Sequence, residues 1–302
     1  MRTALIFITL IIYTTLGYSQ ISVNQMTDKQ RTLYQEHVYG GQPDTNKVLV
    51  RNAYVTSYNV EYRIPNWSAY HIIPDYLNTP TRKSKFAKFR DDPNISNPVS
   101  TSEYNGLFGS VGYARGHLAP YKVFGGDRDN DGLYAVYNDA ASDLDEEITV
   151  FEGNYMSNIA PQLHGRYNGS GGLWFNTEKW VRDKVVNSDS IGNEVWVYSG
   201  CLVHDSRFLE KVGRDTNIVV PDQFYKVVIM NNDGKFPDVL VFLFPHYDSS
   251  SDILERDIFK YCVSVDYLEA ISGLDLFNEY TEVVQDSCER VVDFGKWGQF
   301  IN

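Results

Sequence analysis

An arginine and a histidine separated by one glycine, Arg115-Gly116-His117, stand within the segment YARGHLAP. A guanidinium and an imidazole held this closely can address one phosphate, the first by charge-assisted hydrogen bonds and the second by proton transfer. The glycine, lacking a Cβ, is expected to let the backbone turn tightly between them. Alone the tripeptide is a weak signal, because an isolated histidine is more often a hydrogen-bonded structural residue. Three other segments change the weighting. Residues 63–70 read RIPNWSAY, residues 157–162 read SNIAPQ, and a glycine-rich loop with Asn168 runs into a stretch bearing Glu178. Phosphodiester hydrolysis by water needs a base, cations for the growing negative charge and commonly a metal ion. These residue types can supply all three.

A separate run, Asp127-x-Asp129-x-Asp131-Gly132, has the alternating oxygen donors and glycine turn that open a calcium loop. The EF-hand pattern then requires a glutamate at its twelfth position, where Asn138 stands. The segment is therefore either a structural calcium (Ca2+) site or a solvated acidic turn. It falls just after the Arg-Gly-His motif, so a negative loop beside the cleft would repel polyanions unless calcium neutralised it.

The elements that must position these residues are partly legible. Segments 47–60, 67–73, 194–203, 223–231 and 238–244 have the Val-, Ile- and Tyr-rich character of strands. Residues 172–187 carry Leu173, Trp174, Trp180, Val181 and Val185 at helical intervals, and a short helix is expected over 266–272. Residues 76–110 are an irregular excursion with Pro80, Pro93 and Pro98, and the chain closes on a charged tail. No Pro- or Gly-rich linker divides it, so a single α+β domain is expected over 20–302. The abundant aromatic residues are read chiefly as core.

The ordered set Arg-x-x-Asn-Trp-x-x-Tyr, Arg-Gly-His, Ser-Asn-Ile-x-Pro-Gln, Asn, then Trp-x-x-x-Glu resembles the DNA/RNA non-specific endonuclease family. The resemblance spans about 47–280, with VPDQFYKVVI (220–229) and SVDYLEAISGLDLF (264–277) resembling the family's late strand and helix. It implies a ββα-metal nuclease fold, a central antiparallel sheet flanked by helices, in which two strands and a helix grip one divalent cation. Magnesium (Mg2+) is the implied ion, with manganese (Mn2+) as a substitute. By the same analogy His117 is the general base, Asn168 the direct metal ligand, and Glu178 a holder of metal-bound water. Asn158 would position water or phosphate, while Arg115 and Arg63 clamp the phosphate and stabilise the leaving oxygen. Two positions depart from the family's commonest pattern. Ala114 replaces an acidic residue, and Asn168 precedes Trp174 by six residues rather than four, which puts Ser170 at the usual offset.

Composition limits the alternatives. The formal net charge of −12 argues against a protein that coats nucleic acid or membrane through bulk positive charge. Residues 127–147 hold eight carboxylates against Arg128, a net −7, which leaves room for a positive cleft elsewhere. Arg2, the apolar run from Ala4 to Thr15, and the small Gly17 and Ser19 form an export signal pattern, so residues 1–19 are expected to be removed. Cys201, Cys262 and Cys288 match no zinc motif and allow at most one internal disulfide. The function expected is a secreted endonuclease acting on DNA and RNA through phosphate contacts, without strong sequence preference, and leaving 5′-phosphate ends. The alternatives are a catalytically silent nuclease-like binding module and a secreted phosphodiesterase for small nucleotides.

Overall fold

Long runs of β-branched and aromatic residues build the centre of the molecule. The computed structural model describes residues 20–187, 194–204, 207, 209–215, 217–231, 236–246 and 256–301. The expected export signal lies outside them. In chain order the strands are β1 (Val48–Val50), β2 (Val55–Asn59), β3 (Ile64–Ile72), β4 (Tyr113–His117), β5 (Ile159–Leu163) and β6 (Val195–Leu202). They continue with β7 (Lys211–Val212), β8 (Ile218–Val219), β9 (Gln223–Met230), β10 (Asp238–Pro245) and β11 (Cys262–Val263). The helices are α1 (Asp28–His37), α2 (Leu107–Val111), α3 (Leu144–Gly153), α4 (Leu173–Trp180), α5 (Val265–Ser272) and α6 (Glu282–Glu289).

The main sheet has the order β1-β2-β3-β6-β9-β10-β11, and every neighbouring pair is antiparallel. Alternation along the strands splits the core in two. On β9, Tyr225, Val227 and Ile229 join Tyr34 of α1 and Val265 and Leu268 of α5. Phe224 and Val228 face the other way, against Ile159, Ala160 and Leu163 of β5, Val150 of α3, and Leu173, Trp174 and Trp180 of α4. The expected α+β arrangement, a central antiparallel sheet flanked by helices, is what the chain adopts.

Several boundaries differ from expectation. The single strand read over 47–60 is a hairpin, because the run breaks at Arg51, whose N–H donates to the Tyr54 carbonyl at 2.9 Å. β3 begins at Ile64 rather than 67. The helix expected over 172–187 is α-helical only to Trp180 and then widens into a π-helical segment, Val181–Val186. The wider turn keeps Val181, Val185 and Val186 all buried. The tail is not merely a charged end, since Trp297 and Phe300 are buried and Trp180 Nε1 donates to the Phe300 carbonyl at 2.8 Å. All three cysteines are unpaired thiols. Among the described residues no helix is long and apolar enough to cross a membrane.

Candidate active site

β4 and β5 form a two-stranded antiparallel ribbon outside the main sheet, with Arg115 opposite Pro161 and His117 opposite Ile159. The two-residue period of a strand puts Arg115 and His117 on one face. Gly116 lies opposite, where a Cβ would come within 2.2 Å of the buried Gln162 side chain. The expectation of a tight turn at this glycine is therefore corrected. Gly116 sits in regular strand and is required for space, because the glutamine of SNIAPQ packs beneath it. Helix α4 docks on the ribbon through Trp174, whose Nε1 donates to the His117 carbonyl at 3.0 Å. Two strands and a helix thus converge on one cleft of about 670 Å³.

The histidine is held in a defined tautomer. Asn154, the C-cap of α3, donates through Nδ2 to the carbonyls of Phe86 (3.1 Å) and Val150 (3.4 Å). Its Oδ1 then faces His117 Nε2 at 3.1 Å, so Nε2 carries the proton and Nδ1 is the basic nitrogen. Burial first, and the Arg82 guanidinium second, push the His117 imidazole down to about 3 against the opposing Asn154 hydrogen bond. The ring is neutral at physiological pH, the state that a proton acceptor needs.

Charge in the cleft is opposite to that of the whole chain. Among the described residues, Arg82, Arg115, Lys122 and Arg182 line it, with Glu178 as its one acidic residue. Arg115 donates to the Thr101 carbonyl at 2.6 Å and to Asn105 Oδ1 at 3.3 Å, so hydrogen bonds aim the guanidinium without cancelling its charge. Arg82 lies over the rings of Phe89 and Tyr121, 5.3 and 5.1 Å from their centroids. None of the eight carboxylates in 127–147 lines the cleft, so the expected repulsion of polyanions by a neighbouring acidic loop is not built into its wall.

Glu178 projects from α4 into this cleft. Its Oε1 is 3.8 Å from Lys226 Nζ, and Lys226 is 1% exposed. Lys226 Nζ also donates to Ser199 Oγ at 2.8 Å and lies 3.6 Å from the Trp174 ring centroid. Burial raises the Glu178 carboxyl, and Lys226 is the largest influence opposing it. Burial likewise lowers the Lys226 ammonium, with Glu178 opposing. Asn168 ends a single π-helical turn, His164–Asn168, and lines the same cleft. Its Oδ1 lies 2.9 Å from His164 Nδ1. Ser170, at the more usual spacing from Trp174, is exposed and is not part of the cleft wall.

The structure thus brings together His117, Arg115, Glu178 and Asn168. Two expected members are not brought there. Arg63 is buried in an ion pair with Glu103, 2.9 Å from Oε1, and donates to the Pro98 carbonyl at 3.0 Å. Its charge is neutralised inside the fold, and it does not line the cleft. Asn158 is fully buried. It donates to the carbonyls of Ala119 (2.9 Å) and Gly153 (3.0 Å) and accepts from Ala119 N–H (2.9 Å) and Ser68 Oγ (3.3 Å). With its amide fully engaged, Asn158 braces the chain just beyond His117 rather than handling water or phosphate.

Several residues at the site were missed, Lys122 and Arg182 of the cleft wall among them. Arg82 lies in the proline-punctuated excursion, where no periodicity marks a cleft residue. His164 and Asn154 are polar residues flanking SNIAPQ without a spacing signal of their own. Lys226 did carry one. In QFYKVVIM it alternates in phase with Phe224 and Val228, so a charged group was due on a core face, where lysine is rarely found unpaired.

A family model for DNA/RNA non-specific endonuclease matches residues 32–282. The chain is 25% identical over 263 residues to the human mitochondrial nuclease EXOG, a match covering 82% of this chain and 62% of that protein. It is 26% identical over 257 residues to nuclease C1 of Cunninghamella echinulata var. echinulata, covering 79% and 86% of the two chains. A nuclease of Nostoc sp. is 27% identical over 259 residues, covering 83% and 80%. Among solved structures, a chain of the EndoG/EndoGI complex superposes with a TM-score of 0.61 at 22% identity, covering 85% of this chain and 95% of that one. The likeness establishes a shared fold.

Proposed function

The chain belongs to the DNA/RNA non-specific endonuclease family, and on that footing we propose that it is an exported, magnesium-dependent endonuclease. It hydrolyses phosphodiester bonds of both DNA and RNA and leaves 5′-phosphate ends. Residues 20–302 act as one nuclease domain, and residues 1–19, with their basic start, apolar run and small closing residues, direct export. The observation that carries the reading is the neutral His117 imidazole, its basic Nδ1 set by Asn154, in a cleft lined by four cations.

In this mechanism Arg82 and Arg115 bind the phosphate and hold it against the His117 face of β4. His117 Nδ1 takes a proton from the attacking water, and the imidazolium formed keeps its Nε2 hydrogen bond to Asn154. Arg115, aimed by Thr101 and Asn105, faces charge that grows on the phosphoryl and leaving oxygens. The donor set fits magnesium, which keeps several waters and takes few protein oxygens: Asn168 would give one amide oxygen directly, and the Glu178 carboxylate would accept hydrogen bonds from metal-bound water. When bound, magnesium would supply Lewis-acid polarisation of a phosphoryl oxygen and charge for the leaving oxygen. Among the described residues no trio of His, Cys, Asp or Glu side chains converges in the cleft, which fits a sparsely ligated ion rather than a zinc cage.

Because recognition runs through phosphates, rates on duplex DNA and on RNA are expected to agree within about tenfold. A dinucleotide, which forfeits contacts to flanking phosphates, is expected to react on the order of a hundredfold more slowly. The polymer products should ligate without prior phosphorylation. Preference for the dinucleotide would support a small-nucleotide phosphodiesterase instead, and 5′-hydroxyl ends would contradict the assigned direction of cleavage.

A further inference from the structure

We propose that the acidic loop and the start of α3 together form a structural calcium site, distinct from the cleft. Asp127, Asp129 and Asp131 of the loop contribute, with Asp143, the N-cap of α3, and Glu146 of its first turn.

Two overlapping groups share Asp129. Ligand oxygens of Asp127, Asp129 and Glu146 lie within 4.8 Å of one another, as do those of Asp129, Asp131 and Asp143. Calcium–oxygen distances of 2.3–2.6 Å place two oxygens on opposite sides of one ion about 5 Å apart, so both groups are on the scale of one coordination sphere. Proximity of carboxylates alone would carry nothing, since exposed acids crowd together on many surfaces. The second observation is Glu146, which is only 2% exposed. Its Oε1 accepts from the Arg128 backbone N–H at 2.7 Å, but its Oε2 is buried and meets no donor. Oδ2 of Asp143 is buried and unpartnered in the same way. Leaving such acceptors unsatisfied is costly, and a divalent cation is a partner that satisfies several of them at once.

The neighbouring cation does not take this role. The Arg128 guanidinium donates to the carbonyls of Val123 (2.8 Å) and Gly125 (3.2 Å) and lies 3.7 Å from the Tyr76 ring centroid. Burial, together with Asp143 and Asp129 close by, holds the Glu146 carboxyl up at about 7 in spite of Arg128. The oxygens are also unequally engaged. Asp127 accepts from the N–H groups of Asp131 (3.0 Å) and Gly132 (2.8 Å), which curls the loop and leaves further lone pairs on both carboxylate oxygens. A flexible set of five carboxylates suits calcium, which tolerates six to eight oxygens, better than magnesium with its strict octahedron.

This arrangement resolves the mismatch at Asn138. The closing carboxylate is Glu146, from the first turn of α3, and not a residue at the loop's twelfth position. A bound ion would therefore staple the loop to the helix whose C-cap, Asn154, holds His117.

The test is thermal unfolding of the chelator-treated protein, with calcium or magnesium then added at about a hundredfold excess over the calcium Kd. Calcium is expected to raise the Tm by about 5 °C in the wild type, and equally in Asn168→Ala, whose change lies in the cleft. Magnesium should give less than half that shift. Glu146→Gln, which keeps the shape, and Asp129→Asn, at an exposed position, should both abolish it. Titration calorimetry should find one calcium per chain that Glu146→Gln lacks. Overturning results are a shift that survives both substitutions, one lost in Asn168→Ala, one equalled by magnesium, or none at all. A surviving shift would place calcium in the cleft or at the Asp266, Glu269 and Glu289 cluster.

Discussion

Replacing His117 with alanine is expected to lower kcat/KM on plasmid DNA and on RNA together, by about 10²–10⁴-fold, the usual cost of losing a general base. The magnesium concentration giving half-maximal rate should not change, because His117 is not among the residues assigned to the metal. A loss below about tenfold would move the base to another group. The pH profile adds an independent check. Burial and Arg82 hold the folded imidazole at about 3, so lowering the pH from 8 to 5 leaves His117 neutral and competent. At saturating magnesium the acid limb of kcat/KM should therefore lie well below the ordinary histidine value of about 6.5. Glu178 behaves oppositely. Its carboxyl is raised by burial, so the magnesium needed for half-maximal rate should increase as the pH falls through neutrality. An acid limb at about 6.5 that is insensitive to magnesium would contradict both assignments.

Lys226→Met should be the second most damaging change, although Lys226 is a positioning residue that contributes nothing to the cleft wall. Lys226 is buried but Glu178 keeps 17% of its side chain exposed at 3.8 Å, so losing this pair should cost less than the about 3–5 kcal/mol of a fully buried one. A Tm drop of about 5–10 °C is expected. With Lys226 gone, burial of Glu178 is opposed by Arg182 and Trp174 without its largest counter-influence, and its pKa rises further. The variant should need more magnesium at pH 7 and recover as the pH rises. The double variant Glu178→Gln with Lys226→Met should regain stability without regaining activity. A single variant with normal magnesium and pH dependence would reduce Lys226 to packing.

How much of this was legible depended on whether a residue's neighbours in sequence were also its neighbours in space. β9 and β10 could be read directly, because central strands buried on both faces leave near-continuous apolar runs. Arg115 and His117 were picked out by residue type, but the strand that sets them on one face was not read, because a turn was expected between them. Gly116 could not be read correctly from its own segment, since the same residue serves a tight turn and a tight contact, and Gln162 decided between them from 46 positions away. The arginines make the point most clearly. Arg63 fitted the motif but meets Glu103 across the fold, whereas Arg82 carried no motif and reaches the cleft. Asn158 and Asn154 both donate to backbone carbonyls, but the Oδ1 of Asn158 is taken by Ala119 N–H and Ser68 while that of Asn154 faces His117. Residue type and order identified the family, while the division of labour within the site came from long-range packing.

The most direct test of the whole account is a time course of the wild-type protein on supercoiled plasmid and on RNA, with magnesium or with chelator. The account predicts nicked and then linear plasmid together with progressive shortening of the RNA, without discrete sequence-specific fragments, and only where the divalent cation is present. Failure to cut either polymer with magnesium, manganese or calcium would contradict it, and would leave a nuclease fold whose positive cleft serves binding alone.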